Sequence, residues 1–92
     1  MSCTDLEYFH IPDGVRCIDS RAFADCISLK SIVIPESVGT IQCRAFQGCI
    51  SLKSAVIQKG VNLIDAYAFE DCKSLISVMI PESVERIGAR AF

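Results

Sequence analysis

Ninety-two residues, 51% hydrophobic and 22% charged with a formal net charge of −2, read as one small unit with apolar side chains to bury, not as a multidomain enzyme. Nine basic residues against eleven acidic, without any Lys/Arg run, leave no electrostatic footprint for nucleic acid or anionic lipid. No window approaches the ~18 consecutive apolar residues of a spanning helix, and Met1-Ser2-Cys3-Thr4-Asp5 lacks the basic and apolar regions of a secretory leader. The expectation is a chain without membrane insertion, intracellular as it stands, or at the cell surface if it is part of a longer protein.

Self-similarity at a period of 23 residues runs through the whole chain. The opening segment is already in phase, with Cys3 aligned to Cys26, Cys49 and Cys72, and Leu6 to Leu29, Leu52 and Leu75. From Ile11 the blocks read IPDGVRCIDSRAFADCISLKSIV, IPESVGTIQCRAFQGCISLKSAV, IQKGVNLIDAYAFEDCKSLISVM and the partial IPESVERIGARAF. A unit this short cannot close a core alone, so its apolar columns must face the same columns of neighbouring units, stacked as coils of a solenoid.

Within each coil the elements follow in order. Segments 29–34 and 52–57 place apolar residues with period 2 at their ends, which predicts one short strand per coil and hence a parallel sheet. Pro12, Pro35 and Pro81 stop the strand because proline has no amide donor for the ladder, and the Asp-Gly or Glu-Ser pairs after them suit a turn. Gln58 replaces proline in the third block, so that turn is less rigidly set. The following Ile-x-x-x-Ala-Phe-x-x-Cys stretch has helical spacing but is too short for a stable helix, and predicts a single irregular or 3₁₀ turn.

The unit I-P-x-x-V-x-x-I-x-x-x-A-F-x-x-C-x-S-L-x-S-x-x resembles the BspA-type leucine-rich repeat across residues 1–92. The resemblance implies an α/β-type solenoid: a right-handed superhelix with a parallel sheet on its concave side and short convex turns, forming a single domain of about four repeats. It also implies a non-enzymatic protein-protein interaction module, of the kind that microbes display to bind host matrix proteins, host cells or one another. Typical surface members are long and carry secretion signals and anchors; this chain shows neither, so a short intracellular member and a piece of a longer array both remain open.

Six cysteines in 92 residues would suit a disulfide scaffold, but four share one column. Stacked coils hold equivalent Cβ atoms ~4.8 Å apart on parallel vectors, beyond the usual ~3.5–4.5 Å of a disulfide, so the expectation for Cys3, Cys26, Cys49 and Cys72 is a buried ladder of reduced thiols. Cys17 and Cys43 lie outside that ladder. There is no Cys-x-x-Cys pair and the single histidine, His10, has no ligand set beside it, so neither a metal nor another cofactor is expected. His10 is the one candidate general base near neutral pH, and a pairing with Cys17 or Cys43 is the only constellation that would support an enzyme; none is expected.

A protein partner is expected on the outward columns of the strand. His10, Val33, Val56 and Met79 form an apolar row, edged by Tyr8 on one side and by Gln58 and the prolines on the other, which is the composition of an interaction patch. Arg21, Arg44, Tyr67 and Arg90 form a convex row that reads as solvated charge. Both ends keep the apolar pattern unbroken, so Cys3 and Leu6 at one and Ile87, Ala91 and Phe92 at the other are candidates for end-to-end self-association. The alternative is that further coils of a longer array cover them.

Overall fold

Each coil of this computed structural model, which describes residues 5–92, carries two short strands. The first set is β1 (Tyr8–His10), β3 (Ser31–Ile34), β5 (Ser54–Ile57) and β7 (Ser77–Met79); the second is β2 (Cys17–Ile18), β4 (Thr40–Ile41), β6 (Leu63–Ile64) and β8 (Arg86–Ile87). They form two parallel four-stranded sheets, ordered β1-β3-β5-β7 and β2-β4-β6-β8. Every pairing joins residues 23 apart, for example Val33 with Val56 and Ile41 with Ile64. The period seen in the sequence is therefore the pitch of the solenoid.

The alternation of strand residues decides what is inside. In β3, Ile32 and Ile34 are buried and Val33 is exposed; in β5, Ala55 and Ile57 are buried. Ile18, Ile41 and Ile64 of the second sheet face the same interior, together with Val38, Val61, Leu29 and Leu52. No polar or charged side chain among the described residues is buried there, so apolar burial and close packing dominate the core. Phe46 and Phe69 fill the remaining corner, stacked 5.0 Å apart and within 3° of parallel, with Phe23 and Phe92 extending the stack at 5.1 Å on either side.

The second sheet departs from the expected single strand per coil. The turn closes when the amide of Val38 donates to the Pro35 carbonyl at 3.1 Å, and the equivalent bond recurs from Val84 to Pro81 at 3.2 Å. The chain then runs straight across the stack, where Gly39 N donates to Arg16 O and Asn62 N to Gly39 O, both at 2.8 Å. Backbone groups that a lone coil would leave unpaired find partners on the next coil, and this pairing extends the segment. Two residues per coil carry no readable alternation, which is why the sequence does not show it.

The Ala-Phe stretch forms no helix among the described residues. It is a chain of three-residue-step turns, Ala45 N to Gln42 O, Gln47 N to Arg44 O and Cys49 N to Phe46 O. Left-handed residues at Arg21, Arg44, Tyr67 and Arg90, with φ of 54 to 61°, interrupt any continuous spiral. Inter-coil bonds from Phe23 N to Ala45 O and from Phe46 N to Ala68 O, both 2.7 Å, lock the turns together.

The expectation of a wholly reduced cysteine ladder is overturned at Cys26, which is disulfide-bonded. Cys49 and Cys72 are free thiols as expected, and Cys3 lies outside the described residues. The ~4.8 Å Cα spacing expected of stacked coils lies within the disulfide window of about 4.4–6.8 Å, so the repeat does not by itself require every cysteine of the column to stay reduced.

Candidate functional site

The outward face of the first sheet is built by strand register. His10 pairs with Val33, Val33 with Val56 and Val56 with Met79, so the four form one continuous row; Tyr8, Ser31, Ser54 and Ser77 form the row beside it. Alternation turns these side chains outward because their neighbours on each strand fill the core. Tyr8 is 64% exposed, Val33 49% and Met79 63%, while Val56 is half-buried. Gln58 and Pro12 are exposed beside the row, whereas Pro35 is buried and cannot reach a partner.

The six residues expected to bind divide between two open depressions. Tyr8, His10 and Val33 line one of about 370 Å³, and Val56, Gln58 and Met79 line another of about 400 Å³. Glu36 and Lys59 stand at the rim of the second. At the edge of the face, Lys30 Nζ lies 3.1 Å from Glu7 Oε1, and that carboxylate holds the lysine above its ordinary pKa. Both groups are half-exposed, so the pair orients charge at the rim and adds little stability.

Phe9 is a member of this site that the sequence reading missed. It occupies the inward column of Ile32, Ala55 and Val78, yet it is exposed and its ring leans on Phe23 at 5.3 Å and 55°. It lines the first depression from below. Its size was the available signal, since no other member of that column is aromatic.

The remaining candidates are dispersed. His10 lies on the first sheet. Cys17 lies on the second, where its sulfur accepts from Gln42 Nε2 at 3.1 Å and contacts Asp19 Oδ1 at 3.7 Å. Cys43 lies 3.7 Å from Ser20 Oγ. Among the described residues no group of three His, Cys, Asp or Glu side chains is placed to hold a metal ion, and no helix is long and apolar enough to cross a membrane. Of the end residues, Ala91 is buried and its carbonyl accepts from Phe69 N, Leu6 is half-buried, and Ile87 and Phe92 are 47% and 48% exposed. Arg44, in the convex row, sits 4.6 Å over the Tyr67 ring and is not simply solvated.

This repeating register, with its two parallel ladders and stacked phenylalanines, coincides with a match of residues 1–92 to the BspA type leucine rich repeat region. The chain belongs to the BspA-type leucine-rich repeat family. A crystal structure of a leucine-rich repeat protein from T. pallidum is similar with a TM-score of 0.86 and 32% identity, covering 94% of this chain and 40% of that one. A leucine-rich cell surface protein from Faecalibacterium prausnitzii A2-165 is similar with a TM-score of 0.66 and 40% identity, over 67% of this chain and 16% of that one. The repeat protein thus spans well under two thirds of the length of either. No curated protein matches it. The family and its fold are typically non-catalytic and fit a repeat module for protein interaction or surface display.

Proposed function

We propose that this repeat domain binds a protein partner through the outward face of its first sheet, as an adhesion-type module. The observation that carries the reading is the continuous row His10, Val33, Val56 and Met79, open to water over four paired strands and divided into two depressions. A protein partner with exposed apolar side chains would seat them in these depressions, while Tyr8 and Gln58 supply polar and aromatic contact at the rim. The cell surface protein from Faecalibacterium prausnitzii favours a partner met outside the cell, such as a host or microbial surface protein.

Charging the row tests this. Val56→Lys is expected to weaken binding to immobilised host matrix proteins at least about tenfold, the loss expected when a central apolar contact is replaced by a desolvated charge. Its circular dichroism should remain unchanged, since the side chain points away from the core. An unchanged dissociation constant would overturn the assignment of this face.

A second reading, self-association through coil faces, is favoured by the exposure of Ile76, Ile80, Ile87 and Phe92 around β7 and β8. Light scattering over a dilution series should then give masses above 10.1 kDa, and a chain extended by a polar capping segment should run at its own monomer mass. Oligomers that persist with both ends capped would count against it.

A further inference from the structure

The cysteine column holds three described sulfurs on successive coils, and they are not alike. Cys26 takes part in a disulfide, whereas Cys49 and Cys72 are thiols. The two thiols adopt the same pose: Cys49 Sγ donates to the Phe23 carbonyl at 3.1 Å, and Cys72 Sγ to the Phe46 carbonyl at 3.2 Å, each reaching one coil back. Their backbones are related by one step of the stack, a step that separates the Phe46 and Phe69 ring centroids by 5.0 Å. That translation falls inside the Cα window of a disulfide, about 4.4–6.8 Å, and Cys26, in the same column, is itself disulfide-bonded.

We propose that Cys49 and Cys72 are a further disulfide site, closed between adjacent coils by exchange with a small-molecule disulfide such as oxidised glutathione. Cys49 is fully buried and Cys72 half-buried, so Cys72 is the point of entry. The Cys72 sulfur attacks the small disulfide and forms a mixed disulfide. The first small thiol leaves and takes up the proton that Cys72 gave up. The Cys49 sulfur, one coil back in the same column, then attacks the Cys72 sulfur, and the second small thiol leaves with the Cys49 proton. In sum, two S–H bonds are broken and one S–S bond is formed in the protein, and one small disulfide is reduced to two thiols. The hydrogen bond to Cys49, followed by burial, pushes the Cys72 thiol well above the ordinary range. Little Cys72 thiolate is present at neutral pH, so closure is slow. Closing the bond would staple the second and third coils and leave the outward face of the first sheet untouched.

The whole chain, purified without reductant, would be incubated with oxidised glutathione, quenched with acid and N-ethylmaleimide, digested with trypsin and mapped by mass spectrometry. Cleavage after Arg44, Lys53, Lys59 and Lys73 places Cys49 in peptide 45–53 and Cys72 in peptide 60–73. The expected product is these two peptides joined. The melting temperature should rise on the order of 10 °C as the bond forms, as for closure of a loop of this size. Cys49→Ser and Cys72→Ser should each abolish both changes. Stable glutathione adducts at Cys72 without the joined peptide, complete alkylation of both thiols, or linkage of peptide 45–53 to 22–30, which contains Cys26, would each overturn the assignment. Mapping the unsubstituted chain decides the matter even if a serine variant fails to fold.

Discussion

At the scale of single residues, the environment of a side chain is set by its column and by the coil beneath it. Cys17 illustrates this: its column-mates are Thr40, Leu63 and Arg86, so nothing in the repeat requires a thiol there. Burial, followed by the neighbouring Asp19 carboxylate, pushes its thiol above the ordinary value, against a lowering contribution from Gln42. A carboxylate disfavours the adjacent thiolate, so Asp19→Asn should lower the Cys17 pKa and increase the thiolate present at pH 7. Alkylation of Cys17 by iodoacetamide, followed on its tryptic peptide, is expected to quicken by about twofold to fivefold. An unchanged rate would show that Asp19 does not govern this thiol.

At the scale of the element, the turn after the first strand shows how coils are clamped in pairs. Position 14 and its equivalents alternate Gly14, Ser37, Gly60, Ser83. Each serine reaches back one coil: Ser37 Oγ donates to Val15 O at 2.7 Å and accepts from Gly14 N at 3.2 Å, and Ser83 Oγ donates to Val61 O at 2.8 Å and accepts from Gly60 N at 3.3 Å. Ser83→Ala removes both bonds and should cost about 1–2 kcal/mol in urea denaturation. Gly60 has φ of 137°, and a Cβ there would collide with the Glu36 carbonyl. Gly60→Ala should therefore cost more than Ser83→Ala, about 2–3 kcal/mol. Equal and small losses would mean that the turn relaxes freely. The alternation is plainly visible in the sequence, but its meaning is not, because the partner of each hydroxyl is the backbone of another coil.

At the scale of the whole molecule, the stack is quasi-one-dimensional, and the worth of a residue depends on whether coils cover it on both sides. Ile18, Ile41, Ile64 and Ile87 are chemically identical and share one column. Ile41 is fully buried between its neighbours, whereas Ile87 is 47% exposed. Ile41→Ala should cost about 2–5 kcal/mol and Ile87→Ala under about 1 kcal/mol, measured by the same denaturation. Similar losses at the two positions would show that the β8 coil is covered in solution, whether by further coils or by a second molecule.

The pitch, the inward columns and the outward apolar row were legible in the sequence, because strand alternation and a 23-residue period are properties of the order of side chains and need no coordinates. The burial of Ile32 and Ile34 beside the exposed Val33, and the register of Val33 with Val56, follow from that order directly. What the tertiary structure decided concerns contacts made across coils by atoms that carry no pattern. The second sheet arises because amides such as Gly39 N find carbonyls one coil away. Phe9, in register with Ile32, is exposed and rests its ring on Phe23, and Cys26 is oxidised where its column-mates Cys49 and Cys72 are not. A repeat tells each residue which column it occupies; what touches it there is determined by the three-dimensional stacking of its neighbours.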